Sequence, residues 1–191
     1  GGKYGDVGII VQGGITPSLT RALQQIGLAD GYGRCELPML VLNVVYPLVP
    51  EQITAFAAGK KAILVVEEGQ RELIEHEIGS ILRRADMNVT IAGKNVLPMA
   101  GEYTSEVLLA GVTTFLKAHV PQLGNLGDGG YADEVAALRK AALAAMGGPV
   151  PPRPPTFCTG CPERPVFSAL KLVERDVGKV HYSADIGCHA F

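Results

Sequence analysis

Short runs of consecutive apolar residues alternate with helical patterns over the first part of the chain. Four of these runs are predicted to be strands, at residues 7–11, 39–45, 62–66 and 88–92. Strands that are apolar at almost every position are buried on both faces, which is typical of a parallel sheet covered by helices on both sides. We therefore predict an α/β domain at residues 1–120, with a mostly parallel sheet between two layers of helices.

Helices are predicted between and after these strands. Thr16 is expected to cap the first helix, which has a proline at its first position, and Gly27 is expected to end it. Pro50 is expected to begin a second, shorter helix. Two longer helices are predicted at residues 71–84 and 104–119. The apolar residues of the helix at 71–84 that we expect to face inward are Leu73, Ile74, Ile78, Ile81 and Leu82.

The loops after the first three predicted strands lie at the edge of a parallel sheet where functional groups are usually found. They contain residues 12–14 (Gln-Gly-Gly), Tyr46 with Pro47, and Glu67 with Glu68. The glycine spacing does not match the G-x-G-x-x-G dinucleotide motif, so we interpret these glycines as turn residues. Nothing in the sequence assigns catalysis to Glu67 or Glu68, which we expect to cap a helix or to form an interface.

The composition changes after residue 120. Residues 121–155 contain a glycine-rich segment, a helix predicted at 131–146 and the proline-rich run 147–155, which we expect to be a stiff, extended linker. Residues 156–191 are then expected to begin a second domain. The chain starts without a methionine and stops just after a cysteine motif, so we expect it to be a fragment of a larger protein.

The charge balance argues against two classes of partner. The formal net charge is −2, from 17 basic and 19 acidic side chains, and the basic residues form no stripe, so we expect no nucleic acid and no anionic membrane as a partner. The longest apolar run, residues 39–49, is interrupted by Asn43 and Pro47 and is too short to span a bilayer. No signal peptide is visible, and we expect a cytoplasmic protein.

Three of the four cysteines lie in the last part of the chain. Cys158 and Cys161 form a C-x-x-C pair, the spacing at which two thiolates can bind one metal ion or one cluster. Cys188 follows 27 positions after Cys161, and a helix followed by a strand at residues 180–183 could return it to the pair. Cys35 is expected to be a buried residue outside this chemistry. The predicted helix carries on one face Val166, Ala169, Leu170 and Val173.

The spacing of these cysteines allows several interpretations. A structural zinc site could recruit His189, but the adjacent Cys188 and His189 chelate one tetrahedral ion poorly. A thioredoxin-like dithiol would use the C-x-x-C pair and leave Cys188 without a function. The cysteines could also be isolated structural residues. A four-iron cluster with its fourth ligand beyond Phe191 fits best, and His189 would then either line a cofactor pocket or pack structurally.

Several segments resemble one known enzyme family. Residues 153–162 and 184–189 resemble the start of the diphosphate-binding domain of indolepyruvate:ferredoxin oxidoreductases. Residues 36–50, 65–70 and 96–103 resemble the middle, transketolase-C-like domain of the same enzymes. The resemblance covers essentially the whole chain, and the cysteine segment is its most specific part.

The resemblance implies an enzyme that oxidatively decarboxylates an aryl 2-oxoacid, indolepyruvate, with coenzyme A, giving acyl-CoA, carbon dioxide and reduced ferredoxin. The implied cofactors are thiamine diphosphate, Mg²⁺ and a 4Fe-4S cluster. By the same resemblance, the activating glutamate and the fourth cluster cysteine lie outside this chain, which is expected to be inactive alone. The implied cluster ligands are Cys158, Cys161 and Cys188. The residues implied to lie against thiamine diphosphate are Asp185, Ile186, Gly187 and Cys188.

The resemblance also implies partners. These are ferredoxin, a second subunit or an equivalent fused domain, and further copies of the enzyme in an oligomer. Within the family, the alternative is a related enzyme that acts on pyruvate or another 2-oxoacid. From a different class, the chain could be a non-catalytic α/β interaction module with a zinc-stabilised tail.

Overall fold

The structure is a computed structural model, and it describes residues 3–69, 71–123, 130–149, 160–161 and 163–183. The chain divides into two compact units after Leu138, and each is described by itself. The first unit contains the sheet and the helices that cover it. The described residues of the second unit are mainly helical.

Four parallel strands form a sheet in the described part of the chain, in the order β2-β1-β3-β4. This confirms the predicted α/β class. The central strand β3 begins and ends at the predicted residues, and it pairs with β1 along its whole length. The strands are β1, Val7–Gln12; β2, Met39–Leu42; β3, Ala62–Val66; and β4, Thr90–Ala92.

The edge strands β2 and β4 are shorter than predicted, because among the described residues each pairs with a single neighbour. β2 ends at Leu42, which is the partner of the last residue of β1, Gln12. The apolar residues beyond this point, such as Val44, leave the sheet and are exposed. β4 begins at Thr90, the partner of the first residue of β3, Ala62.

The helices lie close to their predicted positions. Gly27 follows the end of α1 with φ of 72°, the left-handed conformation that favours glycine after a helix. Among the described residues, no helix combines the length and the apolar character that crossing a membrane requires. The helices are α1, Thr16–Gln25; α2, Pro50–Ala57; α3, Leu73–Arg84; α4, Ser105–His119; α5, Tyr131–Ala145; and α6, Glu163–Val177.

Two details of the helix prediction are wrong. Thr16 does not cap α1. A 3-10 turn leads directly into the helix, so the cap position is Ile15. The Thr16 hydroxyl instead donates to the carbonyl of Gln12 (3.4 Å). Leu73 is 67% exposed. It precedes the buried Ile74 by one position, which is about 100° around a helix, so it lies beside the apolar stripe rather than in it.

The second unit departs from prediction in one further way. The strand predicted at residues 180–183 is wrong, because these residues are not in a strand. A strand requires a hydrogen-bonded neighbour, and the described residues of this unit provide none. The helix predicted before it is present as α6, and its apolar side chains Val166 and Val173 are exposed among the described residues.

Side chains of β1 and β3 alternate between the two faces of the sheet and so divide the core in two. One face packs against α1 and α4, and the other packs against α2 and α3. If this alternation continues past β3, Glu67 and Glu68 lie on opposite faces. The side chains on the α1 and α4 face are Val7, Ile9, Val11, Ala62, Leu64 and Val66. Those on the α2 and α3 face are Ile10, Ile63 and Val65.

Gly111 allows α4 to approach the loop that follows β4. A Cβ atom at this position would lie 2.3 Å from Cδ2 of Leu97 and 3.1 Å from the carbonyl oxygen of Val96. We therefore expect Gly111→Ala to destabilise the protein by roughly 1–3 kcal/mol, although alanine favours the helix. As a matched control, Gly79→Ala in α3 meets open space and should stabilise by about 0.5–1 kcal/mol. Urea unfolding measures both, and equal stabilisation by the two variants would contradict the close approach.

Candidate functional site

The carboxyl ends of β1 and β3 meet where the chain changes direction across the sheet. From β1 the chain passes to β2 on one side, whereas from β3 it passes to β4 on the other. Ligands of open parallel sheets usually bind in the crevice that forms at such a point. Five polar residues at this edge form what we call the strand-end network: Gln12, Glu67, Glu68, Lys94 and Tyr103.

Glu67 is 5% exposed and caps α3 from the preceding strand. Its two carboxylate oxygens accept hydrogen bonds from the backbone N–H of Ile74 (3.0 Å each), and Oε2 also accepts from the N–H of Glu75 (3.1 Å). These amides belong to the first turn of α3, whose own cap residue, Glu72, forms no capping hydrogen bond through its side chain. The predicted helix-capping role is therefore confirmed for Glu67, and its charge lies at the positive end of the helix.

Glu68 connects two other elements. Its Oε2 accepts from the backbone N–H of Tyr103 (2.6 Å), just before α4, and its own N–H donates to Oε1 of Gln12 (2.7 Å) at the end of β1. Thr104 then caps α4, since its hydroxyl accepts from the N–H of Val107 (3.4 Å). The two adjacent glutamates thus position the starts of two helices that pack on opposite faces of the sheet.

Lys94 follows β4 and places its ammonium group among five oxygen atoms. Its Nζ donates to the carbonyls of Glu67 (2.6 Å) and Gly69 (2.9 Å) and to the hydroxyl of Tyr103 (2.7 Å). Burial lowers the pKa of Lys94, while the neighbouring glutamates act in the opposite direction. The ammonium therefore joins the loop after β3 to the loop after β4. The two remaining carbonyl oxygens, 3.3 and 3.4 Å away, belong to Met99 and Pro98.

Tyr103 completes the strand-end network from the start of α4. Its side chain is almost fully buried, and its hydroxyl donates to the carbonyl of Pro98 while accepting from Lys94. Burial raises the pKa of Tyr103 to about 12, and the nearby glutamates act in the same direction. The phenol therefore keeps its proton at neutral pH.

Glu67 and Lys94 have little capacity for acid–base or nucleophilic chemistry. Both carboxylate oxygens of Glu67 already accept backbone hydrogen bonds, and the ammonium of Lys94 already donates to protein oxygens. A general base needs a lone pair within hydrogen-bond reach of the substrate. We therefore interpret Glu67 and Lys94 as the support of the crevice rather than as catalytic groups.

A cavity of about 590 Å³ lies beside this network, and we call it the strand-end cavity. Residues of all three loops singled out from the sequence line it, so the structure brings Tyr46, Pro47, Glu67 and Glu68 together with Gln12. The remaining lining comes from the ends of these loops and from the first turns of α3. Most of the lining surface is apolar. Its charged and amide side chains are Gln12, Glu67, Glu68, Arg71 and Glu77.

The sequence interpretation missed Lys94 and Tyr103. A signal for Lys94 was available, because it follows β4 at the same edge of the sheet at which Glu67 follows β3. The rule that strand ends carry functional groups applies to the fourth loop as well as to the first three. Tyr103 had no such signal, since it reaches the network from the residues before α4.

Of the three predicted cluster ligands, only Cys161 lies among the described residues. Cys161 is half-buried. The described residues contain no group of three His, Cys, Asp or Glu side chains that could hold a metal ion. Cys35 is also half-buried, and burial raises the pKa of its thiol, which lowers its reactivity. The other predicted site residues, which lie outside the described residues, are Cys158, Asp185, Ile186, Gly187, Cys188 and His189.

Comparison with known proteins gives a consistent set of relatives. Residues 2–106 match a family model described as the indolepyruvate ferredoxin oxidoreductase middle domain. Indolepyruvate oxidoreductase subunit IorA of Methanothermobacter thermautotrophicus is 27% identical over 99% of the chain. The proteins of the same name from Archaeoglobus fulgidus and Thermococcus kodakarensis are 32% and 26% identical over 97% and 96% of the chain. The chain spans about a quarter of the length of these relatives (27%, 26% and 25%).

Replacing Glu67 with alanine should leave the amides of Ile74 and Glu75 without acceptors. We expect the free energy of unfolding to fall by roughly 2–3 kcal/mol, because unsatisfied buried donors are costly. Glu67→Gln keeps an acceptor oxygen and should lose less. Urea unfolding, with the exposed Glu36→Ala as a control, measures the effect. An equal loss in Glu67→Ala and Glu36→Ala would contradict the capping role.

The raised pKa of Tyr103 predicts a loss of stability at alkaline pH. Below about pH 10 the phenol is protonated in both the folded and the unfolded chain and adds no pH dependence. Between pH 10 and about 12 the unfolded chain loses this proton first, so the folded state loses stability as the pH rises. Tyr103→Phe should lack this part of the alkaline slope in urea unfolding measured across that range. A slope identical to that of the unmodified protein would assign it to another group.

Proposed function

We propose, because the chain belongs to the indolepyruvate ferredoxin oxidoreductase family, that it is part of an enzyme that oxidatively decarboxylates indolepyruvate, an aryl 2-oxoacid, with coenzyme A. The products are an acyl-CoA, carbon dioxide and reduced ferredoxin. The observation that carries this proposal is the match of residues 2–106 to the middle domain of that family. A related enzyme acting on pyruvate or another 2-oxoacid is the alternative.

The proposed cofactors are thiamine diphosphate, Mg²⁺ and a 4Fe-4S cluster. When bound, thiamine diphosphate supplies the electron sink that removal of a carboxylate beside a carbonyl carbon requires. The thiolates of Cys158, Cys161 and Cys188 are the donor type that iron–sulfur clusters use, and the first two have a suitable spacing. The residues proposed to lie against thiamine diphosphate are Asp185, Ile186, Gly187 and Cys188.

In this proposal the described α/β unit is a scaffold and supplies no catalytic residue. The carboxylate of Glu67 and the ammonium of Lys94 are engaged with the protein itself through their hydrogen bonds. The chemistry would then belong to the cofactor-binding segments of the enzyme. We propose that the enzyme is a cytoplasmic oligomer that uses ferredoxin as electron acceptor and includes a second subunit or an equivalent fused domain.

An anaerobic assay of the full-length protein, with any co-encoded subunit, tests the proposed reaction. Ferredoxin reduction is followed with indolepyruvate, pyruvate and 2-oxoglutarate, each with and without coenzyme A. We expect CoA-dependent reduction that is fastest with indolepyruvate. A preference for another 2-oxoacid would move the enzyme to the alternative within the family. No reduction by protein shown to contain iron and thiamine would overturn the proposed reaction.

Loss of a cluster ligand should remove iron from the same full-length protein. We expect Cys158→Ser and Cys161→Ser each to lose iron and acid-labile sulfide in the amount of one cluster, because a cluster depends on its thiolates. Cys35→Ser is the matched control and should keep its full iron content. Iron content that is unchanged in Cys161→Ser would contradict the ligand assignment. Zinc in place of iron would favour a zinc-stabilised, non-catalytic module.

A further inference from the structure

The strand-end cavity has an apolar lining that opens to solvent at Tyr46 and Leu73. These side chains are 89% and 67% exposed, which is high for large apolar residues that border a concave surface. The less exposed apolar residues of the lining are the half-buried Leu48 and the buried Ile74. A cavity of about 590 Å³ with a mostly apolar lining and a few polar groups is typical of sites for small molecules.

Two opposite charges on this cavity are unpaired within the described part of the chain. Arg71 and Glu77 both line it and are exposed, and neither side chain forms an ion pair or a hydrogen bond with another described residue. The two side chains therefore do not pair with each other. The other charged residues of the lining differ from them, because Glu67 and Glu68 are engaged by backbone amides.

A neutral donor accompanies this pair of charges. Gln12 uses its side-chain oxygen to accept from the N–H of Glu68, and its amide nitrogen has no partner among the described residues. The cavity thus presents a cation with a neutral donor, an anion, and an apolar surface. A simple carboxylate would leave Glu77 unpaired, and a simple amine would leave Arg71 unpaired. A ligand that carries both charges and an apolar group matches all of these groups in kind.

We propose that the strand-end cavity binds a free α-amino acid with a large apolar side chain. Its α-carboxylate pairs with the guanidinium of Arg71 and accepts from the amide of Gln12. Its α-ammonium pairs with the carboxylate of Glu77, and its side chain packs against Leu48 and Ile74. This proposal does not depend on the reaction proposed above, because Arg71, Gln12 and Glu77 are not among the residues proposed to bind the cofactors.

Isothermal titration calorimetry of the full-length protein tests this site. L-phenylalanine should bind, whereas phenylacetate lacks the ammonium group, phenethylamine lacks the carboxylate and glycine lacks the apolar side chain. Each analogue is expected to bind about tenfold more weakly or worse, because each loses a charge-assisted contact or the apolar burial. Because the titration measures binding, it is independent of turnover and of iron content.

Two variants assign the binding groups. Arg71→Gln and Glu77→Gln should each weaken L-phenylalanine binding about tenfold or more. Arg71→Gln should leave the weak binding of phenethylamine unchanged, and Glu77→Gln should leave that of phenylacetate unchanged. The matched control is Arg21→Gln, at an exposed position of α1 outside the cavity, which should bind as the unmodified chain does.

Three outcomes would overturn the proposal. The first is no heat of binding for L-phenylalanine, L-tryptophan or L-leucine at their highest soluble concentrations. The second is equal affinity for L-phenylalanine, phenylacetate and phenethylamine, which would indicate an apolar pocket without charge recognition. The third is protection of residues 44–49 from hydrogen exchange that increases with protein concentration in the absence of ligand. That result would assign the cavity to contact with a second copy of the chain.

Discussion

The buried carboxylate of Glu67 fixes the geometry of the carboxyl edge of the sheet. Taking a carboxylate out of water is costly unless its oxygens accept several hydrogen bonds, and here they accept from the first turn of α3. The backbone carbonyl of the same residue accepts from Lys94, which belongs to the loop after β4. The positions of β3, α3 and that loop therefore depend on one another. One wall of the strand-end cavity is built on this arrangement.

The period of two along a strand explains why two adjacent glutamates have separate tasks. The alternation that places Val65 and Val66 on opposite faces continues through Glu67 and Glu68. Glu67 therefore reaches α3 on one face, and Glu68 reaches the residues before α4 on the other. A dipeptide of two carboxylates suggests a pair that acts on one substrate. Here the strand separates them, and both are used to position helices.

The parts of the fold that local pattern determines were predictable, and those that depend on pairing partners were less so. The bounds of β3 were predicted correctly. This strand pairs with β1 along its whole length and is buried at every position, so its apolar run begins and ends with the strand. β2 was predicted too long because it ends where its neighbour β1 ends, and the sequence of β2 does not show where that is. The cap of α3 by Glu67 could be anticipated, because Glu67 directly follows a strand. The contact of Lys94 with Tyr103 depends on the order of the strands, which a single sequence does not display.

The start of α3 is not encoded within α3. Glu72, at the cap position, forms no capping hydrogen bond through its side chain, and the acceptor comes from the end of the preceding strand. A peptide cut out as residues 71–84 would keep the amphipathic pattern but lose the acceptors of its first turn, and such short helices are marginal in water. In the folded chain, the amides of this first turn have their acceptors only because β3 places Glu67 beside them. The boundary of the helix is therefore a non-local property, inherited from the sheet.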